Sequence, residues 1–75
     1  MITRELTIKK QNEANQLSLE RELDNLVDSY KIYKLLGKPY LLEINHGDIN
    51  FIEVLSAINR NGYSILQDKI IRGQK

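Results

Sequence analysis

Hydrophobic and polar positions change their period twice between residues 39 and 72. The segment from Pro39 to Asn45 alternates with a period of two, and a period of three to four residues follows from Asp48 to Asn61. A second alternating segment begins at Tyr63. This order predicts a βαβ unit over residues 39–72, whose helix crosses one face of a sheet that contains both strands.

The helix of this unit has well-marked ends. Asp48 is predicted as its N-cap, and Gly62 follows its last turn because glycine adopts the left-handed conformation at little cost. The predicted buried stripe is Phe51, Ile52, Leu55 and Ile58, flanked by Val54 and Ala57. The last strand is predicted to run from Tyr63 to about Ile71, with a bulge near Gln67 and Asp68.

Two further elements precede the unit. Residues 1–10 alternate and predict an edge strand, although Arg4 interrupts its apolar face. Residues 12–37 predict one long helix. Ser18 can cap its N-terminus, residues from about Asn12 can extend it further, and Gly37 and Pro39 end it. Its apolar stripe has spacings of three and four residues and consists of Leu19, Leu23, Leu26, Tyr30 and Tyr33.

Together these elements predict one small α/β domain over residues 1–75. The expected order is β-α-β-α-β, an α+β sandwich of a three-stranded sheet with two helices on one face, and residues 73–75 form a tail. A second arrangement stays open, because Ser29 to Leu36 could instead be a strand that turns at Gly37 and Lys38. The order would then be βαββαβ, the split or ferredoxin-like arrangement.

The two faces of the expected sheet differ in polarity. The helices are expected to cover one face, made of Leu6, Ile8, Tyr40, Leu42, Ile44, Tyr63 and Ile65. The other face is expected to present Leu41, Leu66 and Ile70 among polar residues that include Glu43 and Asp68. Apolar residues on neighbouring strands can form one patch, and such a patch is typical of a protein contact.

Composition narrows the possible classes of protein. The chain has 75 residues and no cysteine, so packing must stabilise it without disulfides or thiolate metal sites. This fits a reducing compartment, and we expect a cytoplasmic protein. No apolar run approaches the length of a membrane span, so no membrane contact is expected. A formal net charge of +1 provides little general attraction to nucleic acid.

The inventory of reactive side chains argues against an enzyme. His46 is the single histidine, and the four glycines form no phosphate-binding loop. We therefore expect no catalytic residue, no metal and no cofactor. The loop Asn45 to Asp48 is a weak candidate for an anion site, which Lys9, Lys10 and Asn12 would join if the first two strands were parallel. An ordinary polar turn explains this loop better.

These observations predict a non-enzymatic protein-binding module, such as a small regulator, adaptor or inhibitor. It would act through its exposed sheet face or an edge strand, on a partner protein or on a second copy in a homodimer. The predicted contact residues are Leu41, Glu43, Leu66, Asp68 and Ile70. The alternative is a dimeric nucleic-acid-binding regulator that uses Arg4, Lys9 and Lys10 on a basic N-terminal strand.

Overall fold

The computed structural model describes residues 1–11, 13–34 and 40–73. These residues form four strands and two helices. In chain order they are β1 (Ile2–Lys10), α1 (Gln16–Leu26), β2 (Ser29–Lys34), β3 (Tyr40–His46), α2 (Phe51–Arg60) and β4 (Tyr63–Arg72).

The four strands form one sheet in the order β2-β3-β1-β4. Every neighbouring pair is antiparallel. The expected α+β class with two helices is confirmed, but the prediction of three strands is wrong. The observed order βαββαβ is the split arrangement that the sequence left open as its second choice.

The predicted long helix over residues 12–37 is wrong, because α1 ends at Leu26. Val27 is extended, and its N–H makes the last helical bond, to the carbonyl of Leu23. The N–H of Asp28 donates to the carbonyl of Asn45 at 2.9 Å, so the backbone has already joined the sheet. The predicted features at Asn12 and at residues 35–39, including the Gly37–Lys38 turn, lie outside the described residues.

β1 is a central strand, not the edge strand that the sequence predicted. It pairs with β3 along one side and with β4 along the other. β3 and β4 run parallel to each other with β1 between them, so the predicted βαβ unit exists but is split. The edges of the sheet are β2 and β4.

The core lies between the sheet and the two helices. The largest fully buried side chains come from both layers, and they are Leu6, Ile8, Leu19, Leu23, Leu42, Ile44, Val54 and Ile58. Burying one such side chain contributes about 1.5–3 kcal/mol. The predicted helix-covered face is confirmed, since Tyr63 is also buried and Tyr40 and Ile65 pack against this core.

Two details of the helices differ from the prediction. The buried face of α2 consists of Val54, Ala57 and Ile58, whereas Ile52, which was predicted to be buried, is 67% exposed. The N-caps are asparagines: the Asn15 side chain accepts from the Ser18 N–H, and the Asn50 side chain accepts from the Ile52 N–H. Asparagine is among the best N-cap residues, so each replaces the predicted cap without loss.

The turn between α2 and β4 fixes the segment between β1 and α1. The Gly62 carbonyl accepts from the Gln11 N–H, and the Asn61 carbonyl accepts from the Asn15 N–H, both at 2.9 Å. Gly62 has a φ of 90°, the conformation that favours glycine, as the sequence predicted. A Cβ at this position would lie 2.6 Å from the Ala14 Cα, so the two segments touch through backbone.

We expect Gly62→Ala to lower the free energy of unfolding by about 2 kcal/mol or more. The alanine would have to adopt a left-handed backbone conformation, and its Cβ would also overlap with the backbone of Ala14. Urea unfolding measures the change. Gly47→Ala is the matched control, since the nearest atom to a Cβ there is the Asp28 Oδ2 at 4.0 Å. Equal midpoints for the two variants would contradict this account of Gly62.

Candidate functional site

The sheet has one face that neither helix covers, which we call the open face. Residues directly opposite each other on paired strands lie on the same face, so the pairing register identifies its members. One row crosses the sheet from Tyr33 through Leu41 to Thr7. Tyr33 is 42% exposed and Leu41 is half-buried, so this row presents an aromatic and an aliphatic side chain to solvent.

A charged row lies beside the first one. Its residues, in strand order, are Lys31, Glu43, Glu5 and Lys69. Glu43 and Glu5 are directly opposite each other, which is unfavourable for like charges. Lys69 Nζ lies 3.8 Å from Glu5 Oε1, and Lys31 is directly opposite Glu43. The open face therefore carries negative charge in its middle and positive charge toward both edges.

A bulge in β4 decides which predicted contact residues belong to the open face. Ile65 pairs with Ile8 and Gln67 pairs with Thr7, so Leu66 is the extra residue. Leu66 follows the core-facing Ile65, lies on the open face and is 55% exposed.

Beyond this bulge the alternation of β4 is shifted by one residue. Asp68 pairs with Leu6 and Ile70 pairs with Arg4, which places both on the helix side of the sheet. The structure thus brings Leu41, Glu43 and Leu66 to one face and separates Asp68 and Ile70 from them.

A second group of interacting side chains, the Arg4 cluster, lies on the helix side near the start of β1. It consists of Arg4, His46, Phe51 and Asp68. The Arg4 Nε donates to the His46 Nε2 at 3.1 Å, and the Arg4 Nη1 donates to the Asp68 Oδ2 at 2.9 Å. The guanidinium carbon lies 3.9 Å from the Phe51 ring centroid, a cation–π contact. Arg4 therefore joins β1, β3, α2 and β4.

His46 is held by both of its ring nitrogens. It is 3% exposed and stacks on Phe51, with 4.9 Å between the ring centroids. Its Nδ1 lies 2.9 Å from the Gly47 carbonyl oxygen, which can only accept. Its Nε2 faces the N–H of Arg4, which can only donate. These partners fix the neutral tautomer that carries its proton on Nδ1. A cavity of about 350 Å³ opens beside His46, between Ile2 and Ile49.

The predicted basic residues are not brought together. Lys9 and Lys10 lie at the end of β1, about 20 Å along the strand from Arg4. Since β1 and β3 are antiparallel, these lysines are also at the opposite end of the sheet from the Asn45–Asp48 loop, so the condition under which they would join that loop in an anion site is not met. β1 cannot enter a DNA groove as a ribbon, because both of its edges are already paired.

A third group, the Asn61 cluster, joins the end of α2 to α1. It consists of Glu22, Ala57, Arg60 and Asn61. The Asn61 Nδ2 donates to the Glu22 Oε2 at 2.5 Å and to the Ala57 carbonyl at 2.7 Å. The Arg60 guanidinium donates to the other Glu22 oxygen. A groove of about 300 Å³ runs beside this cluster between the two helices, with Leu26 and Ile52 in its lining.

Three ionisable groups respond to these surroundings. The hydrogen bonds from Asn61 and Arg60 lower the pKa of Glu22, because they stabilise its charged form. Burial raises the pKa of Tyr30, which also donates to Glu20, and the nearby Asp24 and Glu20 add to this effect. Burial likewise raises the pKa of Tyr63.

The Arg4 and Asn61 clusters were not predicted from the sequence. The one visible signal was Arg4 itself, a charged residue at a position where the alternation of β1 requires an apolar one. Such a residue must find partners when its strand is covered, but its partners lie 42 to 64 positions away in the chain. Arg4 meets these distant partners because of the order of the strands in the sheet. The alternation of apolar and polar residues does not determine that order.

We expect His46 to populate the tautomer with its proton on Nδ1, because the Gly47 carbonyl accepts from it and Arg4 donates to Nε2. Long-range proton–nitrogen correlation spectra of the imidazole ring identify the protonated nitrogen directly. In Arg4→Met the Nε2 loses its donor, so the same spectra should show a mixture of tautomers. A ring protonated on Nε2 in the wild type would contradict the observed contacts.

Acid should destabilise the protein partly through Glu22. Its pKa is lowered in the folded state, so the unfolded state binds the proton more tightly. The contribution of Glu22 is therefore present above its ordinary value of 4.5 and is lost as the pH falls through the folded value. Over this acidic range, we expect the free energy of unfolding of Glu22→Gln to fall less than that of the wild type. Glu13→Gln, at an exposed position, should leave the pH profile unchanged.

Across residues 1–11, 13–34 and 40–73, no three histidine or acidic side chains come close enough together to bind a metal ion. No helix in the same part of the chain is long and apolar enough to cross a bilayer. No protein-family model, curated protein or solved structure matches this chain significantly.

Proposed function

We propose that this chain is a non-enzymatic protein-binding module whose contact surface is the open face. The observation that carries the proposal is that Tyr33, Leu41 and the bulge residue Leu66 lie on a sheet face that neither helix covers. Tyrosine and leucine side chains bury a large apolar area, and tyrosine also offers a hydroxyl group to a partner. A small regulator, adaptor or inhibitor in the cytoplasm is the role that fits this surface.

The face is a better contact surface than either edge. The edge strand β4 has register shifts at Leu66 and near Ile71, which interrupt the regular row of backbone groups that a partner strand needs. The other edge, β2, has six residues and carries Lys31 and Lys34. Bulges, short length and lysines are the features by which proteins prevent edge pairing.

The size of the face limits the affinity. Four strands spaced about 4.8 Å apart and about 25 Å long present roughly 500 Å². A stable interface buries about 800 Å² on each partner, so the open face alone supports a transient complex. Its central Glu5 and Glu43 favour a partner that places a basic group there and acidic groups near Lys31 and Lys69. This order of charges provides specificity against other apolar surfaces.

The contacts of His46 support a role without catalysis. The single histidine of the chain is buried, and both of its nitrogens are engaged by Gly47 and Arg4. It is therefore unavailable as a general base toward a substrate in solvent. The nucleic-acid alternative has less support, since Asp68 neutralises Arg4 and two glutamates occupy the middle of the open face.

Affinity capture from the source cells tests the proposal, with the wild type compared with Tyr33→Ala and Leu66→Lys. We expect one protein, or a second copy of the chain, to bind the wild type and to bind each variant at least about tenfold more weakly. Sedimentation equilibrium of the purified chain distinguishes self-association from a different partner. Circular dichroism verifies that each variant is folded.

The matched control is Leu17→Lys, which changes an equally exposed leucine on α1. This variant should capture the same partner with wild-type affinity. If Leu17→Lys abolishes capture while Leu66→Lys does not, the contact surface is the helical layer and the open-face proposal is overturned. The same conclusion follows if amide hydrogen exchange in the complex protects α1 and α2 but not β2 and β3.

A further inference from the structure

The turn Asn61–Gly62 contains a dipeptide that can react with itself. The backbone nitrogen of Gly62 can attack the side-chain amide carbon of Asn61, because glycine has no Cβ to hinder the approach. A carbon–nitrogen bond forms, ammonia leaves, and the five-membered imide is opened by water to aspartate or isoaspartate. Water is the single co-reactant, so the reaction requires no enzyme and no cofactor.

The fold engages both reacting groups in other contacts. The Asn61 side chain donates to the Glu22 Oε2 at 2.5 Å and to the Ala57 carbonyl at 2.7 Å, and the residue is 8% exposed. The N–H of Gly62 donates to the Asn59 carbonyl at 3.1 Å. The nucleophile and the amide cannot approach each other until these bonds open. The rate of the reaction therefore depends on how often the turn is released.

The product does not fit the same place. An aspartate at position 61 has acceptor oxygens where the amide had a donor, and these would face the Glu22 carboxylate and the Ala57 carbonyl. Buried acceptors without a donor, and two adjacent carboxylates, are both unfavourable. The carbonyls of Asn61 and Gly62 also hold the segment between β1 and α1. A change in this turn therefore weakens the attachment of α1 to the rest of the protein.

We propose that Asn61 is a modification site, at which spontaneous deamidation is suppressed by the Asn61 cluster and, once it occurs, irreversibly loosens the fold. Opening the bond to Glu22 starts the reaction, and the aspartate that results prevents that bond from forming again. The consequence is a chain whose stability declines with age. This inference is independent of the partner proposed for the open face, since it concerns the helical layer.

Peptide mapping by mass spectrometry, during incubation at mildly alkaline pH, measures deamidation at Asn61. We expect the native wild type to react at least about tenfold more slowly than the same chain in urea, which corresponds to an opening free energy of about 1.4 kcal/mol. Glu22→Ala should react at a rate between these two, and Glu13→Ala should react at the native rate. Equal rates in native buffer and in urea would overturn the proposal, as would a wild-type rate for Glu22→Ala.

The effect of the product is tested with Asn61→Asp, which should unfold at a lower urea concentration than the wild type. In the double variant Asn61→Asp with Glu22→Gln the donor and acceptor are exchanged, because the glutamine amide can donate to the new carboxylate. We expect this variant to recover part of the lost midpoint. A wild-type midpoint for Asn61→Asp, or no recovery in the double variant, would show that deamidation does not loosen the fold.

Discussion

Strand β1 is hydrogen-bonded along both of its edges, and it joins the pair of strands β2 and β3 to strand β4. Helix α1 connects β1 to β2, which lies two positions from β1 in the sheet. Helix α2 connects β3 to β4, which lies two positions from β3 in the opposite direction. The two crossovers move in opposite directions from antiparallel strands. Right-handed connections of this kind place both helices on the same face. The uncovered face is thus a consequence of the strand order.

The bulge at Leu66 determines what this face presents. Without it, Leu66, Asp68 and Ile70 would all point the same way, because side chains in a strand alternate with a period of two. The extra residue shifts the alternation, so Asp68 turns to the helix side and meets Arg4. The bulge therefore has two effects: it adds the Leu66 side chain to the open face, and it turns Asp68 toward Arg4. The composition of the open face and the ion pair of Arg4 both depend on this one irregularity in β4.

The sequence predicted the parts of the fold that depend on local pattern. The predicted core positions in β1, β3 and the start of β4 were correct, and so was the predicted left-handed conformation of Gly62. Both predictions depend only on residues that are neighbours in the chain. The strand Ser29–Lys34 was only the second choice, because Tyr30 and Tyr33 continue the helical spacing of Leu23 and Leu26. The pairing of Asp28 with Asn45 across the sheet resolved that ambiguity in favour of a strand. Of the predicted contact residues, Leu41, Glu43 and Leu66 lie on one face and Asp68 and Ile70 lie on the other, because the bulge predicted near Gln67 and Asp68 falls at Leu66 instead.

Two groups of stabilising polar contacts lie at the two ends of α2, on the helix side of the sheet. Phe51 at the start of this helix packs against Arg4 and His46, and Arg60 at its end bonds Glu22 beside Asn61. Each group joins elements that are distant in the chain, so changing it alters stability. Tyr33 and Leu66 are instead exposed, and substitutions at such positions usually change stability by less than about 0.5 kcal/mol. Exposed positions on the open face can consequently be substituted at little cost to the stability of the fold.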